Sequence, residues 1–115
     1  MTTIDTRKPQ NNDIQFYLRD RLEMILVVTD QDDAAVDLSG NSLVFSIRKT
    51  ENGTALETIT TASGDIVIGG DDNNMLTFVK ELSGIEERTY YYDLYNVTEK
   101  DTITDGKFIA TYKGR

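Results

Sequence analysis

Carboxylates, hydroxyls and lysines are the side chains here that could do chemistry, because the chain has no histidine and no cysteine. That removes Ser-His-Asp and Cys-His catalysis, imidazole general bases and the usual zinc ligand sets. Paired carboxylates remain, and with them glycoside hydrolysis, which needs two acids flanking one glycosidic bond. Asp and Glu total 20. Their clusters Asp30/Asp32/Asp33, Asp71/Asp72 and Glu86/Glu87 fall in segments that read as turns, where acids serve as solvated caps. Calcium is the other use of acidic loops. Asp30-Gln31-Asp32-Asp33 and Gly70-Asp71-Asp72-Asn73-Asn74 are rich in oxygen donors, but neither has the EF-hand pattern with its late glutamate. Turn chemistry accounts for both. Gly69, Gly70 and Gly84 form neither a phosphate-binding loop nor a dinucleotide fingerprint.

One acid stands apart. Asp93 lies within Thr89–Val97, which holds four of the six tyrosines amid high β-propensity. At period 2, Tyr90, Tyr92 and Leu94 share one face of that strand, and Tyr91, Asp93 and Tyr95 the other. A buried Asp93 needs backbone N–H groups, a hydroxyl or an arginine as partners, so it reads as a hydrogen-bonded fixture that sets register. Tyr90 and Tyr92 read as core. Tyr91 and Tyr95 have an equal claim to the surface, where tyrosines anchor protein or carbohydrate partners.

The elements that must position these residues are strands. Ile14–Leu18 and Leu22–Val28 alternate or run apolar, with Met24–Val28 expected to be covered on both sides. Thr29–Asn41 is turn-rich. Leu43–Lys49 and the polar edge strand Leu56–Thr61 flank Asn52-Gly53, a hairpin signal. Ile66–Ile68 and Met75–Lys80 follow, then a loop with one helical turn over Glu81–Arg88. After the tyrosine strand, the polar Thr98–Asp105 reads as a loop and Asp105-Gly106 as a tight turn into a last strand carrying Phe108, Ala110 and Tyr112. Seven to eight short strands at 8–12-residue spacing, with almost no helix, predict an all-β, Ig-like antiparallel β-sandwich.

At 115 residues the chain suits one domain, residues 14–115, preceded by a flexible polar arm over 1–13 that carries the only proline, Pro9. A net charge of −8, with basic residues dispersed, argues against nucleic acid. No apolar run approaches the roughly 18 residues of a membrane span, and the N-terminus lacks a signal-peptide core. The expected protein is soluble, made in the cytoplasm and free of cofactors and metals.

Five segments share an order with one family. Phe16–Leu22 resembles its opening strand turn, Val36-Asp37-Leu38-Ser39-Gly40 its Asp-Leu-Thr/Ser-Gly turn, and Gly64–Ile68 its Gly-x-Ile-x-Ile strand. Tyr92-Asp93-Leu94 is similar to its Tyr-x-Tyr-Asp-Leu strand, and Gly106–Ala110 to its closing Gly-x-Phe-x-Val strand. The chain thus resembles, over residues 14–112, the N-terminal domain of phage upper-baseplate proteins and small stand-alone phage tail proteins. It departs from them at Asp33-Ala34-Ala35, where the family often has Gly-x-Pro. The resemblance implies an Ig-like sandwich with Asp37, Gly40, Tyr92, Asp93, Gly106 and Phe108 as structural residues and no catalytic ones. It also implies a homo-oligomeric virion protein that contacts other virion proteins, in a tail, baseplate or head–tail joint. Because no receptor-binding region follows Arg115, the expectation is an adaptor module acting alone. The alternative from the residues themselves is a carbohydrate-binding sandwich using exposed tyrosines and an acidic calcium loop.

Overall fold

Period-2 alternation becomes strand almost wherever it occurs in the computed structural model, which describes residues 2–5, 13–30, 32 and 34–112. In chain order the strands are β1 Thr2–Asp5, β2 Ile14–Tyr17, β3 Leu22–Val27, β4 Leu43–Arg48, β5 Ala55–Thr60, β6 Ile66–Gly69, β7 Met75–Lys80, β8 Arg88–Asn96 and β9 Asp101–Thr111. They form a four-stranded sheet, β1-β3-β7-β6, and a five-stranded sheet, β2-β9-β8-β4-β5. The described residues are all-β, in a sandwich-like pair of mainly antiparallel sheets.

The core lies between the two inner faces. Leu22, Met24 and Leu26 of β3 and Leu76 and Phe78 of β7 meet Phe45 and Ile47 of β4, Tyr90, Tyr92 and Leu94 of β8, and Phe108 of β9. Phe45 is the hub. Its ring centroid lies 5.2 Å from Tyr92 in a stacked pair, 5.3 Å from Phe78 edge-on and 6.5 Å from Phe108. Phe78 belongs to the opposite sheet, so this cluster joins the two layers through the offset and edge-on geometries that aromatic quadrupoles favour.

The Val36–Gly40 turn plugs one end of the core with Leu38, which is 2% exposed. Asp37 Oδ1 accepts the Ser39 N–H at 2.9 Å, and the Leu38 N–H donates to the Asn73 carbonyl at 2.9 Å. Bonds from Ser39 hold the Asp37 carboxyl below its ordinary range. The turn's contribution from Asp37 is therefore complete above the usual carboxylate range and fades as acid protonates the folded form. Gly40 closes the turn at φ +77° with open space around its Cβ position. The cost of a side chain there is conformational alone. Gly40→Ala is expected to destabilise by about 1 kcal/mol, measurable as a shifted urea midpoint at constant slope.

Several expectations are corrected. Among the described residues there are nine strands, β1 being the one beyond the seven to eight expected, and two pairings are parallel, β1 with β3 and β2 with β9. Asp105-Gly106 is not a turn. Both residues lie inside β9, opposite Asp93 and Tyr92, and the turn is at Val97–Lys100, where Lys100 takes φ +56°. The expected Thr98–Asp105 loop is thus mostly strand, with a bulge where Leu94 pairs with Thr104 and Tyr95 with Thr102. An extra residue on one strand bends the ladder and admits a polar segment that composition alone assigns to a loop. Glu81–Glu87 contains bends and no helical turn. The β4–β5 connection spans Lys49–Thr54, longer than the two-residue turn Asn-Gly suggests, and β4 itself bulges at Ile47/Arg48. On β3, Ile25 and Val27 are half-buried and turn outward from the sandwich instead of being covered on both sides. Within the expected N-terminal arm, residues 2–5 form β1; residues 1 and 6–12 lie outside the described residues, as do 113–115 and Asp33.

Candidate polar groove on the five-stranded sheet

Residues opposite one another across antiparallel strands point to the same face. On the outer face of the five-stranded sheet this rule brings two rows together. One row is Arg48, Tyr91 and Lys107; the next is Ser46, Asp93 and Asp105. A single tyrosine ring is set between two cations, beside two carboxylates on neighbouring strands. A groove of about 410 Å³ runs over these side chains, bordered by Glu51 and Asn52 of the β4–β5 connection.

Arg48 Nη1 lies 3.1 Å from Asp93 Oδ2. The arginine among the expected partners of Asp93 is therefore present, but the burial is not: the Asp93 side chain is 34% exposed. Alternation along a strand separates its two faces without saying which faces are covered, and this face has solvent over it. Asp93 also stands directly across from Asp105, and like charges so placed repel. Arg48 is the group that offsets this repulsion. Arg48→Ala is thus expected to cost more than Asp93→Asn, which removes the ion pair and the repulsion together. A double-mutant cycle followed by urea unfolding should give a coupling of about 0.5–1 kcal/mol for this half-exposed pair.

Tyr92 closes the groove from below. Its ring is in the core at 2% exposure, opposite Gly106, which has no side chain to compete for that space. Burial pushes its phenol up to about 12; a hydrogen bond with the Thr104 side chain pulls the other way, and the Asp105 and Asp13 charges add to the rise. The sign for stability follows. Between pH 10 and about 12 the unfolded chain gives up the Tyr92 proton while the folded chain retains it, so stability falls across that window. Absorbance titration at 295 nm should show a tyrosinate step near pH 12 that Tyr92→Phe removes.

No known family model and no curated protein matches this chain. The remaining expected site residues are placed by the fold alone. Tyr91 is half-buried at the groove and Tyr95, at 37% exposure, lies further along the same face, beyond the groove lining. Phe108 is core, 5.5 Å from Phe16 by ring centroids. Asp37 and Gly40 are in the plugging turn, apart from the groove. Arg48, Asp105 and Lys107 are groove residues that sequence reading missed, because only cross-strand register brings them beside Tyr91 and Asp93. Among the described residues no group of three or more acids could hold a metal. Asp30 Oδ1 accepts the N–H groups of Asp32 and Ala34, which is turn chemistry.

The opposite outer face differs in kind. On the four-stranded sheet, Ile25, Val27, Val67, Met75, Thr77 and Val79 are neighbours by register, and Glu23 supplies the charge at one border. Val67 is 57% exposed and Met75 and Val79 are close to 40%.

Proposed function

We propose that this chain is a non-enzymatic structural protein of a bacteriophage virion, an Ig-like module of the tail, baseplate or head–tail joint. It is made in the bacterial cytoplasm and works in the particle through protein–protein contacts, with copies of itself and with other virion proteins. The observation that carries this reading is the apolar outer face of the four-stranded sheet, on a molecule whose net charge is −8. Contiguous exposed apolar surface marks a binding face, and this one is nearly free of the charge that keeps such molecules apart.

Two further observations support it. The order β2-β9-β8-β4-β5 against β3-β7-β6, with β2 parallel to the last strand, agrees with an Ig-like arrangement of variable type lacking one edge strand. The five segments of the phage-family resemblance also fall on fold-building positions: the β2–β3 corner, the plugging turn, the entry to β6, mid-β8 and the second half of β9. The measurement that tests the reading is light scattering with co-sedimentation. The protein is expected to self-associate or to sediment with phage particles.

The polar groove favours a second reading, carbohydrate binding. A tyrosine ring between cationic donors and carboxylate acceptors is what a sugar's apolar face and hydroxyls require. A glycan array with and without chelator separates the two. Binding lost on Tyr91→Ala selects the carbohydrate reading, and a blank array selects the structural one.

A further inference from the structure

We propose that β1 is exchanged between copies: the N-terminal strand of one chain completes the four-stranded sheet of the next by pairing along the β3 edge. The proposal rests on the assembly reading above and names its contact. In the described fold β1 has one neighbour, β3, in the register Thr2↔Met24 to Asp5↔Val27. It is four residues long and parallel, so its ladder is short and of the weaker kind. A segment tied down so lightly detaches more readily than the body it is attached to.

The edge it covers is the opposite case. Strand β3 turns Leu22, Met24 and Leu26 into the core and Ile25 and Val27 outward. Bare, it would present unpaired backbone groups along an apolar strand, the kind of edge that recruits another chain. The apolar outer face of β3, β7 and β6 begins at this same edge. A neighbour supplying the missing strand is therefore brought against the surface of this −8 molecule that carries the least charge.

The chain length permits this. Seven residues, 6–12, separate β1 from Asp13, whose Oδ1 accepts the Lys107 N–H at 3.1 Å. A seven-residue connection has an upper limit of roughly 25 Å, about the width of a molecule that measures 38 × 25 × 24 Å, so exchange requires copies in direct contact. Each donor's own edge is then left for a further copy, a head-to-tail exchange that closes into a ring or runs on as a tube.

The absence of native cysteine makes the test direct. Thr3→Cys and Ile25→Cys are prepared as separate chains, one of them isotope-labelled, mixed at assembly concentration and oxidised. Exchange is expected to enrich the mixed disulfide at least about tenfold over either homodisulfide, as read by mass spectrometry of the linked peptides. Asp5→Cys with Val27→Cys repeats the test two register pairs along, should the first pair perturb the sheet. The double variant Thr3→Cys/Ile25→Cys then decides between the two outcomes. Interchain ladders on a non-reducing gel after oxidation at assembly concentration support exchange. An intrachain bridge that leaves oligomerisation and sedimentation with particles intact overturns exchange while the assembly reading stands. An intrachain bridge that abolishes both, with both regained on reduction, supports exchange, and a chain that does neither even when reduced overturns both readings.

Discussion

Phe45→Ala is expected to lower unfolding stability by about 3–5 kcal/mol, the range for removing a buried aromatic ring from a packed core. Phe45 is fully buried and its ring meets Tyr92, Phe108 and, across the sandwich, Phe78. The loss has two parts. Folding no longer removes the ring's apolar area from water, and a cavity opens where Phe45 meets Phe78 across the sheets. A chain of this size has roughly 5–15 kcal/mol in total, so the variant gives up a large share of it and still folds unless the parent lies at the bottom of that range. Thermal unfolding should move down by roughly 10–20 °C. Phe45→Leu keeps most of the volume and loses the ring–ring geometry, so its cost should be nearer 1–2 kcal/mol. Equal costs for the two would mean that packing volume is not what the site provides.

The largest functional effect is expected from a charge on the apolar outer face. Val79→Lys places a cation among Met75, Thr77 and Val67, all on the solvent side of the four-stranded sheet. Lysine is chosen because Glu23 sits directly across from this position, so the free protein gains an opposite-charge neighbour instead of a repulsion. Stability of the isolated fold should therefore change by no more than about 0.5 kcal/mol. If the face is a contact, taking the new ammonium out of water should weaken assembly by about a hundredfold or more even with Glu23 beside it, read by light scattering over a concentration series. Lys107→Ala on the opposite, polar face is the matched control and should leave assembly unchanged.

Much of the fold was legible because it rests on local chemistry. Alternation located β2 to β8 to within a residue or two, and the polar character of Leu56–Thr61 marked β5 as an edge, which it is. Period alone puts Tyr90 and Tyr92 in the core, and they are there at 0% and 2% exposure. What was not legible depends on partners distant in sequence. Asp105-Gly106 carries turn chemistry, yet the pairing of Gly106 with Tyr92 keeps it in strand; local preference yields to a ladder that spans β8 and β9. The actual turn places Lys100 in a left-handed conformation that composition does not flag. The same limit hid the groove. Arg48 and Lys107 are 59 residues apart and meet at Tyr91 only through register on either side of β8. Asp93 has the arginine partner that its chemistry calls for but stands on an open face, because a one-dimensional pattern has no information on which sheet face is covered.

The central claim, that this protein is part of a phage particle, has one direct measurement: quantitative mass spectrometry of virions purified from a lysate of the strain that encodes it. The account predicts its peptides in the particle fraction at a fixed ratio to the other tail or head–tail proteins, in several copies per particle and retained through a density gradient. A strictly monomeric protein, present in the lysate and missing from the purified particles, would contradict it.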